Sequence, residues 1–145
     1  MRFHPFAAAL AVAAAAGAFA AQAQPSSVTG AAPMLSASAE RLSMSASGGA
    51  AAHRTITITA PATGSAGALS VTVGRTEGTL GQLAIDQDGC SGTMLAANAS
   101  CKLALHFDSS CPSAETSGWV LLVTGTSAEP VAIPVTGRSQ GGDCR

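Results

Sequence analysis

Arg54-Thr55-Ile56-Thr57-Ile58-Thr59 alternates polar and apolar side chains without a break, and Lys102-Leu103-Ala104-Leu105-His106-Phe107 repeats the pattern. Successive side chains of a strand point to opposite faces, so a period of two predicts two strands, each with one buried face. The first turns Ile56 and Ile58 inward and its threonines outward; the second buries Leu103, Leu105 and Phe107 and leaves His106 on the other face. Working outward, Leu69-Ser70-Val71-Thr72-Val73 has the same alternation and is closed by Gly74, while Pro61 and Gly64 separate it from the strand before. Leu42-Ser43-Met44-Ser45 is a weaker first strand, and Leu83-Ala84-Ile85 a short one followed by a polar, glycine-containing loop from Asp86 to Ser100. Trp119-Val120-Leu121-Leu122-Val123 is apolar throughout, which predicts a central strand covered on both sides. Val131-Ala132-Ile133-Pro134-Val135 is the last run; Pro134 cannot donate to a ladder, so the strand is expected at an edge or with its outward nitrogen unpaired. Short strands at roughly 10- to 15-residue spacing, with turn residues between them, indicate an all-β antiparallel sandwich of about seven strands.

The N-terminus has a different character. Met1-Arg2-Phe3-His4-Pro5 is a short basic lead, Phe6 to Ala20 is uncharged and alanine-rich, and Ala21-Gln22-Ala23 has the form of a small-residue cleavage site. That is the layout of a secretory signal peptide, so residues 1–23 are expected to be removed and Gln24 to become the first residue. The run is too short and too rich in alanine for a membrane span of about 20 strongly apolar residues. No cysteine sits at the cut to carry a lipid, so no membrane anchor is expected after cleavage and the protein is expected in the periplasm or secreted. Residues 24–39, mostly Pro, Ser, Ala, Gly and Thr, read as a flexible lead-in, with the folded domain at 40–145.

Removing the leader takes three of the four phenylalanines, so Phe107 and Trp119 are the only aromatic side chains of about 120 remaining residues. Stacking platforms for sugars or bases are therefore scarce. Six basic residues (Arg41, Arg54, Arg75, Lys102, Arg138, Arg145) are scattered among eight acidic ones, which makes no basic patch and argues against nucleic acid as a partner.

Cys90, Cys101, Cys111 and Cys144 all lie in the exported part, where an oxidising compartment lets an even number pair. No C-x-x-C occurs and neither His53 nor His106 has zinc-ligand spacing to them, so disulfides are expected and no metal or cofactor. Cys101 opens the strand that ends at Phe107 and Cys111 follows it, about 20 Å away along an extended chain, which excludes their pairing. Alternating strand directions place Cys90 beside Cys101 and bring Cys144 to the end where Cys111 lies; Cys90–Cys101 and Cys111–Cys144 are the predicted bonds.

Catalytic chemistry is hard to find. A hydrolytic triad requires a nucleophile, a base and an orienting acid; the expected mature chain offers only His53 and His106 as imidazoles, and S-x-x-K does not occur. His106 beside Asp108 reads as a solvated pair. Asp86-Gln87-Asp88-Gly89 lacks the glutamate a calcium loop needs at position twelve, where Ala97 stands, so it reads as turn chemistry. Trp119 is a possible contact residue if its indole is exposed, but its alternation with Leu121 and Val123 predicts that it is buried.

The stretch Cys90-Ser91-Gly92-Thr93-Met94-Leu95-Ala96-Ala97-Asn98-Ala99-Ser100-Cys101-Lys102-Leu103-Ala104-Leu105-His106-Phe107 resembles bacterial choice-of-anchor D and ASH/HYDIN-type immunoglobulin-like domains. Those share a cysteine, a leucine, a small-residue turn, a Ser-Cys pair and an alternating strand ending in phenylalanine. Val131-Ala132-Ile133-Pro134-Val135-Thr136-Gly137 is similar to their final strand, although Ala97-Asn98 stands where they usually have Pro-Gly. The resemblance implies an immunoglobulin-like sandwich that acts as a structural or protein-binding module, with no catalytic residues to carry over. The function expected is thus a noncatalytic module of the bacterial envelope with an envelope or extracellular protein as partner; the alternatives are a carbohydrate- or surface-binding module and, less favoured, a small exported hydrolase.

Overall fold

The computed structural model describes residues 33–47, 49–79, 81–109 and 115–141. The expected signal peptide and the Cys111–Cys144 bond lie outside the described residues. Within them, nine strands and no helix are found: β1 (Ser36–Ala37), β2 (Leu42–Ser47), β3 (Ala51–Thr59), β4 (Gly67–Glu77), β5 (Gln82–Asp88), β6 (Met94–Leu95), β7 (Ser100–Asp108), β8 (Thr116–Gly125) and β9 (Val131–Gln140). Seven of them contain the seven alternating or apolar runs. The other two, β1 and β6, are two residues long and too short to leave a periodic trace.

Two sheets make an immunoglobulin-like sandwich, one in the order β1-β3-β7-β5 and the other β2-β9-β8-β4-β6. The pairing is antiparallel except between β2 and β9, which run parallel from Leu42 opposite Val135 to Ser47 opposite Gln140. This corrects the expectation of a wholly antiparallel fold. Its cause lies in the start of the domain, where the chain pairs first with β3 through Ser36 and Ala37 and then crosses to the far sheet to lie along β9. Residues in this crossing are ordered earlier than the sequence suggested. Leu35 is only 4% exposed, and its N–H donates to the carbonyl of Glu129 at 3.3 Å, so the flexible lead-in does not extend to residue 39.

Of the two alternatives that Pro134 left open, the edge position is not the one found, because β9 lies inside its sheet. The Ser139 N–H reaches Glu115, beside β8, so the odd-numbered N–H groups of β9 face β8 and the even-numbered ones face away. The nitrogen of Pro134 therefore faces the β2 side, and β2 begins its ladder one residue later, at Val135. The missing N–H falls where there is no partner to lose, which is the other alternative that proline allowed.

The inward positions of each strand meet between the sheets. Ile56 and Ile58 of β3, Leu103, Leu105 and Phe107 of β7, Trp119, Leu121 and Val123 of β8, and Ile133 and Val135 of β9 are all buried, as the two-residue period requires. Phe107 meets Trp119 across the gap, ring centres 5.5 Å apart and edge to face. Gly137 of β9 provides the space, since a Cβ there would stand 2.6 Å from Phe107 Cε2 and 2.7 Å from Trp119 Cζ3. Substituting Gly137→Ala is expected to lower stability by about 1–3 kcal/mol through overpacking, measured by urea unfolding. Gly74→Ala is the control, since its Cβ meets only Val120 Cγ1 at 3.7 Å, and it should be neutral or slightly stabilising.

Candidate functional site

The loop that links β5 to β7 is built around a disulfide. β5 and β7 are antiparallel neighbours, so the residue after β5 returns beside the start of β7, and Cys90 and Cys101 bond with their Cα atoms 5.2 Å apart. Asp88 stiffens the approach: its Oδ1 accepts the N–H groups of Cys90 and Ser91, at 2.9 and 2.8 Å, and its Oδ2 accepts the Ser91 hydroxyl. That is the turn chemistry expected of this segment. Partial burial pushes the Asp88 carboxyl up, but the Ser91 hydroxyl and the two N–H groups outweigh it and hold the carboxyl below its ordinary value. Farther round, Asn98 has φ 61°, a left-handed conformation that asparagine tolerates better than most residues.

On the outer face of the same sheet, two histidines far apart in sequence come together. His53 on β3 stands directly opposite His106 on β7, their ring centres 6.0 Å apart. Asp86 joins them from β5, where alternation puts it on the same outer face as Ala84, the residue opposite His106, just where the register shifts between Ile85 and Gln87. The Nδ1 of His53 lies 3.2 Å from Asp86 Oδ2, and the Nδ1 of His106 contacts Asp86 Oδ1. His106 Nε2 also lies 3.3 Å from Asp108 Oδ2. The expected His106–Asp108 pair is thus part of a four-residue cluster. Its other members were missed because cross-strand register and a bulge leave no motif in one strand.

A second feature concerns the backbone. β4 pairs with β8 along one side, but on the other β6 covers only Gly67 and Ala68. Leu69 turns its N–H and C=O to that other side, where they bond Thr93 and Gly92 at 3.1 and 2.8 Å. By strand alternation Val71 and Val73 point the same way, and among the described residues no strand lies opposite them. Both side chains are half-buried against the core. Among the other edges, which include β2 and the part of β3 beyond β1, β5 carries the bulge and the carboxylates of Asp86 and Asp88, which blunt it against pairing.

Trp119 lies away from both features. It is 4% exposed, packed on Phe107 and covered by the Arg75 guanidinium 4.9 Å from its ring centre, so its indole presents no surface platform. Arg75 is itself tied down by hydrogen bonds to the carbonyls of Gly78 and Gly81.

No protein-family model matches this sequence, and no curated protein sequence matches it. Similar solved structures include the secreted serine protease VesC from Vibrio cholerae, with TM-score 0.56 and 16% identity over 73% of this chain. This chain spans 23% of that protein's length. The ASH/PapD-like domain 7 of human CEP192 aligns at TM-score 0.54 and 6% identity, over 77% of this chain and 89% of that one. These likenesses concern the fold, an immunoglobulin-like β-sandwich.

Replacing Cys90 and Cys101 together by serine should lower stability by about 3 kcal/mol, the loop-closure term for a ring of this size, read from urea unfolding with and without reductant. The Asp88 carboxyl has a lower pKa folded than unfolded, so its contribution is complete above the unfolded value near 3.8 and is lost as pH falls through the folded value. Acid unfolding of Asp88→Asn should therefore show a shallower loss of stability below about pH 4 than the unsubstituted chain.

Proposed function

We propose that this protein is a noncatalytic immunoglobulin-like module of the bacterial envelope or exterior, and that it holds a protein partner by adding a strand of that partner to the open edge of β4. The observation that carries the reading is the pair of outward-facing backbone positions, Val71 and Val73, left without a strand opposite them among the described residues. Unpaired N–H and C=O groups on a flat edge are a template for strand addition, in which main-chain bonds give affinity and side-chain positions give selectivity. The half-buried valines offer an incoming strand apolar contact as well as hydrogen bonds.

Export is supported by the Cys90–Cys101 disulfide, a bond that persists in oxidising compartments, together with the signal-peptide pattern of residues 1–23. Among the described residues no helix is long and apolar enough to cross a membrane. The noncatalytic reading is supported by the surroundings of the two imidazoles, whose side-chain partners among the described residues are carboxylates, without a hydroxyl or thiol in hydrogen-bond contact. The resemblance of Cys90–Phe107 to choice-of-anchor D domains agrees with this role. Because a sandwich of this kind hosts many activities, the reading rests on the edge and not on the fold.

A photo-crosslinker at Thr72, used in the native envelope, is expected to trap a discrete protein adduct. Val73→Pro removes an outward donor without touching the β4–β8 ladder, so the adduct should fall by more than about tenfold while the unfolding midpoint stays nearly constant. An adduct of undiminished yield in the Val73→Pro protein would contradict strand addition here.

A further inference from the structure

The first three residues of the β4 edge are already covered, and by this chain itself. β6 lies opposite Gly67 and Ala68, and Thr93 and Gly92 take the N–H and C=O of Leu69. The Leu95 side chain turns into the core, while Met94 beside it turns out to solvent. Past Leu69 this cover stops. Leu69, Val71 and Val73 share the inward face of one strand, yet Leu69 is 3% exposed and the two valines are only half-buried. The difference lies in the neighbouring strand, which among the described residues is present beside Leu69 and absent beside the valines. Ile85 shares their condition. It is half-buried on β5, the edge strand of the other sheet, whose two ends connect to β4 and to the loop that carries β6.

We infer, on the strength of the strand-addition reading above, that the segment accepted by the β4 edge is a short extended stretch of a partner protein with Val, Ile or Leu at two alternate positions and an uncharged polar residue between them, lying in line with β6. Residues directly opposite one another in a sheet point to the same face. A strand that bonds the outward N–H and C=O groups of Val71 and Val73 therefore turns two of its own side chains, two residues apart, inward. Leu95 shows what belongs on that face, since it fills the core from the adjoining stretch of the same edge. Aliphatic side chains at the two positions would extend that cover over Val71 and Val73, whereas a charged one would lose its water against aliphatic neighbours. The residue between them falls beside Thr72, which faces outward and is exposed, so a hydroxyl-bearing side chain there makes a favoured cross-strand pair.

The length of the segment is bounded too. At one end Gly92 already bonds Leu69, and at the other the register of β4 shifts between Arg75 and Glu77, so the regular stretch it can follow runs from Ser70 to Arg75.

The probes are three acetylated and amidated peptides of equal charge: Lys-Thr-Val-Thr-Val-Thr-Lys, its isomer Lys-Thr-Val-Val-Thr-Thr-Lys, and Lys-Thr-Ser-Thr-Ser-Thr-Lys. Each is titrated into the disulfide-oxidised protein while amide exchange is followed residue by residue. The first is expected to slow exchange at Val71 and Val73 saturably and to leave Ser70 and Thr72, which face β8, unchanged. The isomer and the serine peptide should each bind at least about tenfold more weakly, and in Val73→Pro the first peptide should no longer protect Val71. Equal slowing of Val71 and Val73 by all three peptides would overturn the alternating aliphatic pattern and leave strand addition standing. Saturable binding of the first peptide with no slowing at those amides would overturn both. No binding of the first peptide would overturn the pattern, and the Thr72 adduct, which needs no added peptide, would then test docking by itself.

Discussion

Phe107 resting edge to face on Trp119 is the contact around which the two layers of the sandwich are arranged. It joins β7 of one sheet to β8 of the other in a core otherwise made of Leu, Ile, Val, Met, Ala and the disulfide. Aromatic pairs bury more area per residue than aliphatic ones and add a preference for one geometry. The surroundings are shaped to admit them. Gly137 leaves out a Cβ that would strike both rings, and Gly81 leaves out one that would stand 2.5 Å from Phe107 Cε2. Arg75 caps the indole from outside while gripping the turn after its own strand through Gly78 and Gly81, so the aromatic pair also settles how β4 passes to β5.

That passage matters because β4 and β5 are the strands at which the two sheets differ in protection. β5 ends in a disulfide-bonded loop pinned by Asp88, and Asp86 stands on its outer sheet face beside the bulge. The histidine cluster itself is assembled by the β3–β7 register, which sets His53 opposite His106, and by the alternation of β5. β4 has its own register shift only between Arg75 and Glu77, leaving Val71 and Val73 on a regular stretch. β5 is thus blunted against pairing, while Val71 and Val73 of β4 keep outward backbone groups with no strand opposite them among the described residues.

Much of the fold was legible in the sequence because it is written in a period of two. Ile56, Ile58, Leu103, Leu105 and Phe107 were readable as inward residues, and strand direction alone placed Cys90 against Cys101. Trp119 was readable as buried from its alternation with Leu121 and Val123. What escaped was long-range pairing. The parallel run of β2 beside β9, the interior place of Pro134 and the ordered Leu35 all depend on where the first strands cross between sheets, and no local pattern encodes that crossing. The candidate sites were hidden for the same reason. His53 and His106 are 53 residues apart in number, and only the β3–β7 register sets them opposite each other. Likewise, Leu69-Ser70-Val71-Thr72-Val73 reads the same whether it is paired on one side or two.

Whether β4 is open on one side can be read directly from amide hydrogen exchange along that strand. The alternation that sends Ser70 and Thr72 toward β8 and Val71 and Val73 outward requires slow exchange at the first pair and fast exchange at the second in the isolated protein. Equal protection of all four amides would mean that something already covers the edge, and the proposed docking strand would have no place to bind.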